Sequence, residues 1–375
     1  MIYLDCAATS MQKPQTVSRA VRHAMSTMAS PGRGGHAPAM RAADTAFACR
    51  EALAELFHVP SPEQVVFTFN ATHALNIAIN DLVNPGDKVV VSGYEHNSVM
   101  RPLYQLGADV RVVSSPLFVQ DAMLEGFAAA LPGAKAAVCT AMSNVFGYIT
   151  PIDEIAGLCR RHGVPLIVDA SQMAGCGALD FQRLDAAYMA MPGHKGLLGP
   201  QGTGVLLCRD VPIPLMAGGT GSDSRNRMMP EYLPDRLEAG THNIPGIAGL
   251  LAGVNYVRSR GVKKIAAHEQ KLMGTFSNQL SSIKNMQVFS SRNAAVQGGV
   301  LSVRHPGIDC EALAQELGKA GVAVRSGLHC APDAHATAGT ADTGTVRFSF
   351  SPFNTLNEVM TAAEVTKRCV NRLKI

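Results

Sequence analysis

The run GHKGLLGPQGTG, Gly193 to Gly204, holds Lys195 in a glycine-rich turn. Glycine lets a backbone come close to a bound ligand, and a lysine held in such a place gives up its proton more readily and forms Schiff bases. The run is neither a P-loop, since no Gly-Lys-Ser/Thr closes it, nor a GxGxxG fingerprint. Upstream, PLIVDAS (Pro165 to Ser171) carries Asp169 at the end of an apolar stretch. A carboxylate there is costly unless it is paired, so it either caps a turn or faces a ligand. An Asp and a Lys at neighbouring strand ends are the pair that pyridoxal phosphate demands. The lysine holds its aldehyde, and the acid keeps the ring nitrogen protonated so that the ring is an electron sink.

Other candidates share that position at the ends of apolar runs. Asn70, Ala71 and Thr72 follow VVFTF and open a helix, where free N–H groups favour an anion such as phosphate or are met by an ordinary cap. Glu95, His96 and Asn97 follow KVVVS, Asn144 follows AAVCTAM, and Gln172 follows Asp169. RSGLHCAP (Arg325 to Pro332) sets Cys330 beside His329 and near Arg325. Cationic neighbours favour the thiolate, the nucleophilic form of cysteine. A metal cluster of His329, Cys330, Asp333 and His335 is the rival, but its spacing fits no common zinc pattern.

The elements that must position these residues alternate. Strands are expected at Val65 to Phe69, Lys88 to Ser92, Val110 to Ser114, Ala136 to Met142, Pro165 to Ser171, Ala186 to Met191 and Gly204 to Cys208. Helix-like runs separate them, as at Thr72 to Leu82 and Ile152 to His162. The alternation predicts an α/β fold with a mainly parallel seven-stranded sheet, ligands binding beyond the strands' carboxyl ends. From about Tyr256 a smaller α+β unit is expected: helices near Lys263 to Ile283 and Asp309 to Ala320, strands at Val296 to His305, Val322 to Ser326 and Thr345 to Phe350, and a last helix from Asn357. HATAGTADTG (His335 to Gly344) reads as a mobile surface loop.

Composition removes other classes. With 375 residues, 47% apolar, 17% charged and a mean hydropathy of +0.09, the chain is a folded protein of about two domains. A net charge of +4, no Trp and 5% aromatics give no footprint for nucleic acid. No apolar run is long enough to span a membrane and no leader pattern opens the chain, so a cytoplasmic protein is expected. Nine cysteines, an odd number with no CxxC, argue against a disulfide framework and for reduced, mostly buried thiols.

Together these segments resemble the cysteine desulfurase and selenocysteine lyase family, group II type, within the class V aminotransferases of pyridoxal-phosphate fold type I. The likeness runs from YLDCAATS near the start to VRFSFSPFNT near the end. It implies a large cofactor domain over 15–255, and a small α+β domain of 1–14 and 256–375 that carries the cysteine loop. In GHKGLLGPQGTG it implies Lys195 as the Schiff-base lysine, with His194 reaching phosphate. VDASQ puts Asp169 on the ring nitrogen and Gln172 on the ring hydroxyl, and YEHNSV puts His96 over the ring as a proton shuttle. FNATHALN gives Ala71 and Thr72 to the phosphate, and LEAGTHN sends Thr241 to the phosphate of a partner subunit. Asn144, Arg347 and, near the mouth, His36 of RGGH are implied as substrate contacts, and Cys330 as the sulfur acceptor. The implied reaction converts L-cysteine to L-alanine with a persulfide on Cys330 and a protein to receive the sulfur, in a homodimer that needs no metal. L-Selenocysteine cleavage, or another class V activity such as transamination or epimerisation, is the alternative. Two positions depart from the family: Cys6 stands where Asn is usual, and Pro192 replaces a serine two before the His-Lys pair.

Overall fold

Strands as apolar as AAVCT and LIVD stay out of water only in a sheet covered on both faces. The computed structural model describes residues 1–32 and 34–373; Arg33, inside the RGGH run, and residues 374–375, the end of the expected small domain, lie outside the described residues. A short strand β1 (Ile2–Tyr3) precedes the seven of the central sheet: β2 (Val65–Thr68), β3 (Lys88–Ser92), β4 (Asp109–Val113), β5 (Ala136–Thr140), β6 (Leu166–Asp169), β7 (Tyr188–Pro192) and β8 (Gly204–Cys208). Their order across the sheet is β2-β8-β7-β6-β5-β3-β4. Among the described strands of this sheet, β8 alone runs against its neighbours, so the sheet is mainly parallel as expected.

The alternation of side chains sorts the core. Val89, Val91, Val138, Ile167 and Leu206 point to one face, under helices Ala71–Leu82 and Asn97–Leu106. Val90, Cys139, Val168, Met189 and Leu207 point to the other, under helices Ala37–Phe57, Gln120–Ala130, Ile152–His162 and Ile244–Arg260. The register sets Thr140 beside Asp169 and Asp169 beside Ala190, so the carboxyl ends of β5, β6 and β7 form one edge.

The remaining strands are β9 (Gln287–Phe289), β10 (Val300–Arg304), β11 (Val322–Ala323), β12 (Arg325–Gly327) and β13 (Thr345–Ser349). Four of them make an antiparallel sheet in the order β12-β13-β10-β9, packed by helices Val262–Leu280, Cys310–Lys319 and Leu356–Leu373 around a second core. The chain start joins this unit, β1 pairing with β11, and then crosses to the lysine turn, where the Ser10 N–H donates to the His194 carbonyl at 3.0 Å.

Two local expectations are corrected. The strand expected over Val322 to Ser326 is two strands in two sheets, β11 on β1 and β12 on β13. The expected mobile loop His335 to Gly344 is built into the protein: helix Pro332–Thr337 covers its start, and His335 and Thr340 are buried, 2.7 Å apart from Nδ1 to Oγ1. Ala336, Gly339, Ala341, Asp342 and Thr343 are exposed, so the stretch lies at the surface as expected and is anchored through His335 and Thr340.

Candidate active site

Asp169 ends β6 and Lys195 lies three residues past the end of β7. Both line a cavity of about 230 Å³ at the carboxyl edge of the sheet, and Ala71, Thr72, His96, Asn144, Gln172 and His194 line it with them. Asp169 is buried; one oxygen accepts the Ser171 N–H at 2.8 Å, and among the described residues no cation forms an ion pair with it. Burial pushes the Lys195 amine down to about 8, Arg347 and Arg325 add to the fall, and Asp169 and Asp5 oppose it. Side chains at the flanking Gly193 and Gly196 would collide with Thr203 and with the Ala174 carbonyl, so the turn is closed down tightly around the lysine.

His96 caps helix Asn97–Leu106, its Nδ1 accepting the Ser98 N–H at 3.0 Å. The neutral ring therefore carries its proton on Nε2. Burial pulls its proton affinity down, with Asp169 opposing. Ser98 Oγ stands 3.0 Å from that Nδ1 and 2.8 Å from Thr72 Oγ1, which ties the histidine to the start of helix Ala71–Leu82. Asn70 caps that helix through the His73 N–H at 2.9 Å, and Ala71 and Thr72 of its first turn line the cavity, where a helix start suits an anion. Burial, then the Lys195 charge, push His194 down to about 4, and its Nδ1 lies 3.0 Å from Thr9 Oγ1. Gln172 Nε2 donates to the Ala7 carbonyl at 3.0 Å.

Cys330 is exposed on the loop after β12, and it and His329 both take left-handed backbone angles, φ 56° and 50°. Two bonds from the large sheet hold them there. The Asn97 N–H donates to the Cys330 carbonyl at 2.7 Å, and Asn144 Nδ2 donates to the His329 carbonyl at 2.8 Å. Beneath, the rings of His329 and His335 are 5.6 Å apart. Burial drives His329 down to about 2 and His335 to about 4, so both are neutral. Among the described residues no group of three or more His, Cys, Asp or Glu is arranged to hold a metal ion.

Arg347 is buried on β13, outside the cavity walls. Its Nη2 meets Asp5 at 2.9 Å, its Nη1 donates to the Asn144 carbonyl at 3.0 Å, and its Nε has no partner. Asp5 also holds Arg325, at 3.2 Å. His36 and Thr241 are exposed and stand apart from the cavity; His36 caps helix Ala37–Phe57. Cys6 is half-buried, and burial pushes its thiol up to about 12, which keeps it protonated.

A class V aminotransferase family profile matches residues 2–361. The chain is 34% identical to a probable cysteine desulfurase of Methanothermobacter thermautotrophicus over 97% of its own length and 93% of the relative's. The chain belongs to the cysteine desulfurase family of class V aminotransferases. It is also 33% identical, over 98% of its length, to a cysteine desulfurase of Synechococcus elongatus, of which it spans 60%. Among solved structures it resembles the apo cysteine desulfurase of Thermococcus onnurineus NA1, with a TM-score of 0.90, 30% identity, and 99% and 95% of the two chains covered. Cysteine desulfurases are pyridoxal-phosphate enzymes, and this member has the α/β architecture expected of fold type I.

Asp5 and Ser98 of this candidate site escaped the sequence, and Glu95 was read only by its place after a strand. Asp5 lies one residue before the cysteine that drew notice, in a segment read for its departures rather than its charge. Glu95, next to His96, is fully buried; its carboxylate accepts from Ser92 Oγ and, at 2.8 Å, from the Thr140 N–H, and burial pushes it up to about 8. It knits the ends of β3 and β5 as a neutral acid. Ser98 had a visible signal, a hydroxyl at the start of a helix two residues past a histidine.

Proposed function

We propose that this chain carries the sulfur of L-cysteine to Cys330 as a persulfide and releases L-alanine, with pyridoxal 5'-phosphate held between Lys195 and Asp169. The supporting observation is that two of the required groups share one cavity and the third is tethered next to a residue of its wall. A lysine with lowered proton affinity and a buried carboxylate line the cavity, and an exposed thiol is bonded through its own carbonyl to the residue after His96. The residues fit the cofactor on their own terms. Asp169 is a buried carboxylate with no cation beside it among the described residues, as a protonated ring nitrogen requires. The start of helix Ala71–Leu82 suits a phosphate, with Thr72 and His194 at hand. Gln172 is the polar group for the ring hydroxyl.

When bound, pyridoxal phosphate supplies an electron sink for negative charge at the substrate Cα. Lys195, freed by the substrate's amine, takes the Cα proton at Nζ. His96 holds its proton at Nε2 and serves as the donor in the cavity; its Nδ1 is committed to Ser98. Cys330 Sγ bonds to the substrate sulfur as the Cβ–S bond breaks, and the carbon left behind is protonated to alanine. Arg347, whose Nε has no partner among the described residues, and Asn144 are read as the cation and amide for the substrate carboxylate, and His36, apart from the cavity in one chain, as a further substrate contact. A sulfur-acceptor protein then meets the exposed Cys330.

Thr241 is exposed in a single chain, as a residue is that reaches the phosphate of a second subunit, and we read the enzyme as a homodimer. Nine free cysteines, one of them exposed and needed as a thiol, suit a reducing cytoplasm. Among the described residues no helix is long and apolar enough to cross a membrane. The large and small units are read as domains of 15–255 and of 1–14 with 256–375. The deciding assay is alanine release by wild type and Cys330→Ala from L-cysteine and L-selenocysteine. Loss with cysteine supports the reading, and full turnover with cysteine overturns it. Cleavage of selenocysteine alone by the wild type makes the chain a selenocysteine lyase.

A further inference from the structure

Glu269 sits midway along helix Val262–Leu280, 7% exposed, and among the described residues its carboxyl makes no hydrogen bond or ion pair. It is pinned from above, since a side chain on Gly299 would meet its Cβ at 2.8 Å. A buried polar group without a partner is rare, and where it persists it calls for a role or a water. Its surroundings offer both. Glu269 lines a second cavity, about 40 Å³, with Ser10, Cys6, Cys176, Ser351 and Lys195 among the other walls. Lys195 lines this cavity and the larger one, as do Met142 and Gln172. One water needs roughly 10–15 Å³ of such space and two to four polar partners. The cavity therefore has room for about three waters, which the carboxyl, the hydroxyls and the lysine amine can hold.

We propose that Glu269 is a proton-relay residue that exchanges a proton with the Lys195 amine through water in this second cavity. The carboxylic O–H gives its proton to a water, and that water gives one to Nζ, leaving carboxylate and ammonium. The reverse restores both, and no other bond changes. Burial brings the two groups together, raising Glu269 to about 8 and lowering Lys195 to about 8, so the exchange is close to balanced. The other titratable groups facing the cavity are the thiols of Cys6 and Cys176. Burial and the Glu269 charge push both up, so they stay neutral. Lys13 and Asp5 act on Cys6, and Asp5 and Asp169 also favour the charged form of Lys195 while Arg347 and Arg325 oppose it.

The inference rests on Lys195 being the lysine that moves protons in the desulfurase reading. Its test uses the cofactor-loaded full chain as wild type, Glu269→Gln and Glu269→Asp; the first replaces a neutral acid by an amide of the same shape and keeps the fold. Infrared difference spectra should show a protonated-carboxyl band in the wild type at pH 7 that Glu269→Gln lacks and that fades as pH rises through about 8. The visible band of the cofactor on Lys195 should titrate with a shifted midpoint in Glu269→Gln, because above about pH 8 the wild-type carboxyl is ionised and favours the protonated form. Alanine release should fall about tenfold in kcat at unchanged KM, with Glu269→Asp recovering part of it. A wild type without the carboxyl band, or a Glu269→Gln variant whose visible titration and kcat profile superimpose on the wild type, overturns the proposal. A wild type that releases no alanine overturns the desulfurase reading instead. The relay is then decided by the visible titration alone, and an unmoved midpoint sinks it.

Discussion

Asp5 holds the two arginines of the cleft with one carboxylate, Arg347 at 2.9 Å and Arg325 at 3.2 Å. Arg347 is the buried member, and a buried cation that loses its counter-charge is expensive, so Asp5→Asn should cost about 3–5 kcal/mol in denaturant unfolding. A change under about 1 kcal/mol would show that Arg347 does not depend on Asp5. Lys195 makes a pH prediction. Its amine is lowered to about 8, so in cofactor-free protein the capture of pyridoxal phosphate should quicken as pH rises through about 8. Asp169 holds that value up, so in Asp169→Asn the midpoint should move to lower pH. Stopped-flow absorbance reads both, and a midpoint unmoved by the substitution would contradict the coupling. At this scale the sequence was legible where a residue type is chemically unusual for its place. Lys195, Asp169, His96 and Cys330 stood out for that reason. Glu269 had only a periodic signal: it falls on the stripe of Ile265, Leu272, Met273 and Phe276, the buried face of its helix, where a glutamate is out of place.

The loop that carries Cys330 is an element held under strain. Consecutive left-handed residues other than glycine cost about 1–3 kcal/mol each, and persist where neighbours over-determine them. Here the neighbours are the Asn97 N–H and the Asn144 side chain. Asn144→Ala should leave the cofactor's visible band in place while slowing persulfide formation in a single turnover by about tenfold or more. Unchanged formation of persulfide would mean that the loop keeps its place without this bond. Elements with one strong period were readable from sequence: β3, β5 and β8 and helix Ile152–His162 lie where apolar runs and their stops put them. The fate of Val322 to Ser326 was not, because a split between two sheets depends on distant partners, β1 and β13. Nor was the burial of His335 and Thr340, which rests on a contact with Phe146 far along the chain.

Across the whole molecule, the chain start binds the small sheet to the lysine turn, and the larger cavity and the Glu269 cavity share Lys195 as a wall. Thr241 and His36 stay outside that arrangement in one chain. Light scattering should therefore give twice the chain mass, and Thr241→Ala should weaken pyridoxal phosphate binding without loss of fold. A fully active monomer would contradict the shared site. The parallel sheet and the placing of the site at its carboxyl edge were legible from alternation alone. The reading of Thr241 came from the likeness of LEAGTHN to its family segment, because nothing local in that run distinguishes an interface from an exposed turn.

Sulfur transfer to Cys330 is the central claim, and mass spectrometry of the cofactor-loaded protein after brief exposure to L-cysteine tests it most directly. The peptide containing Cys330 should gain the mass of one sulfur, lost on reduction with a thiol, while those containing Cys6 and Cys176 stay unmodified. Alanine release with no added sulfur on Cys330, or with sulfur on another cysteine, would contradict the account.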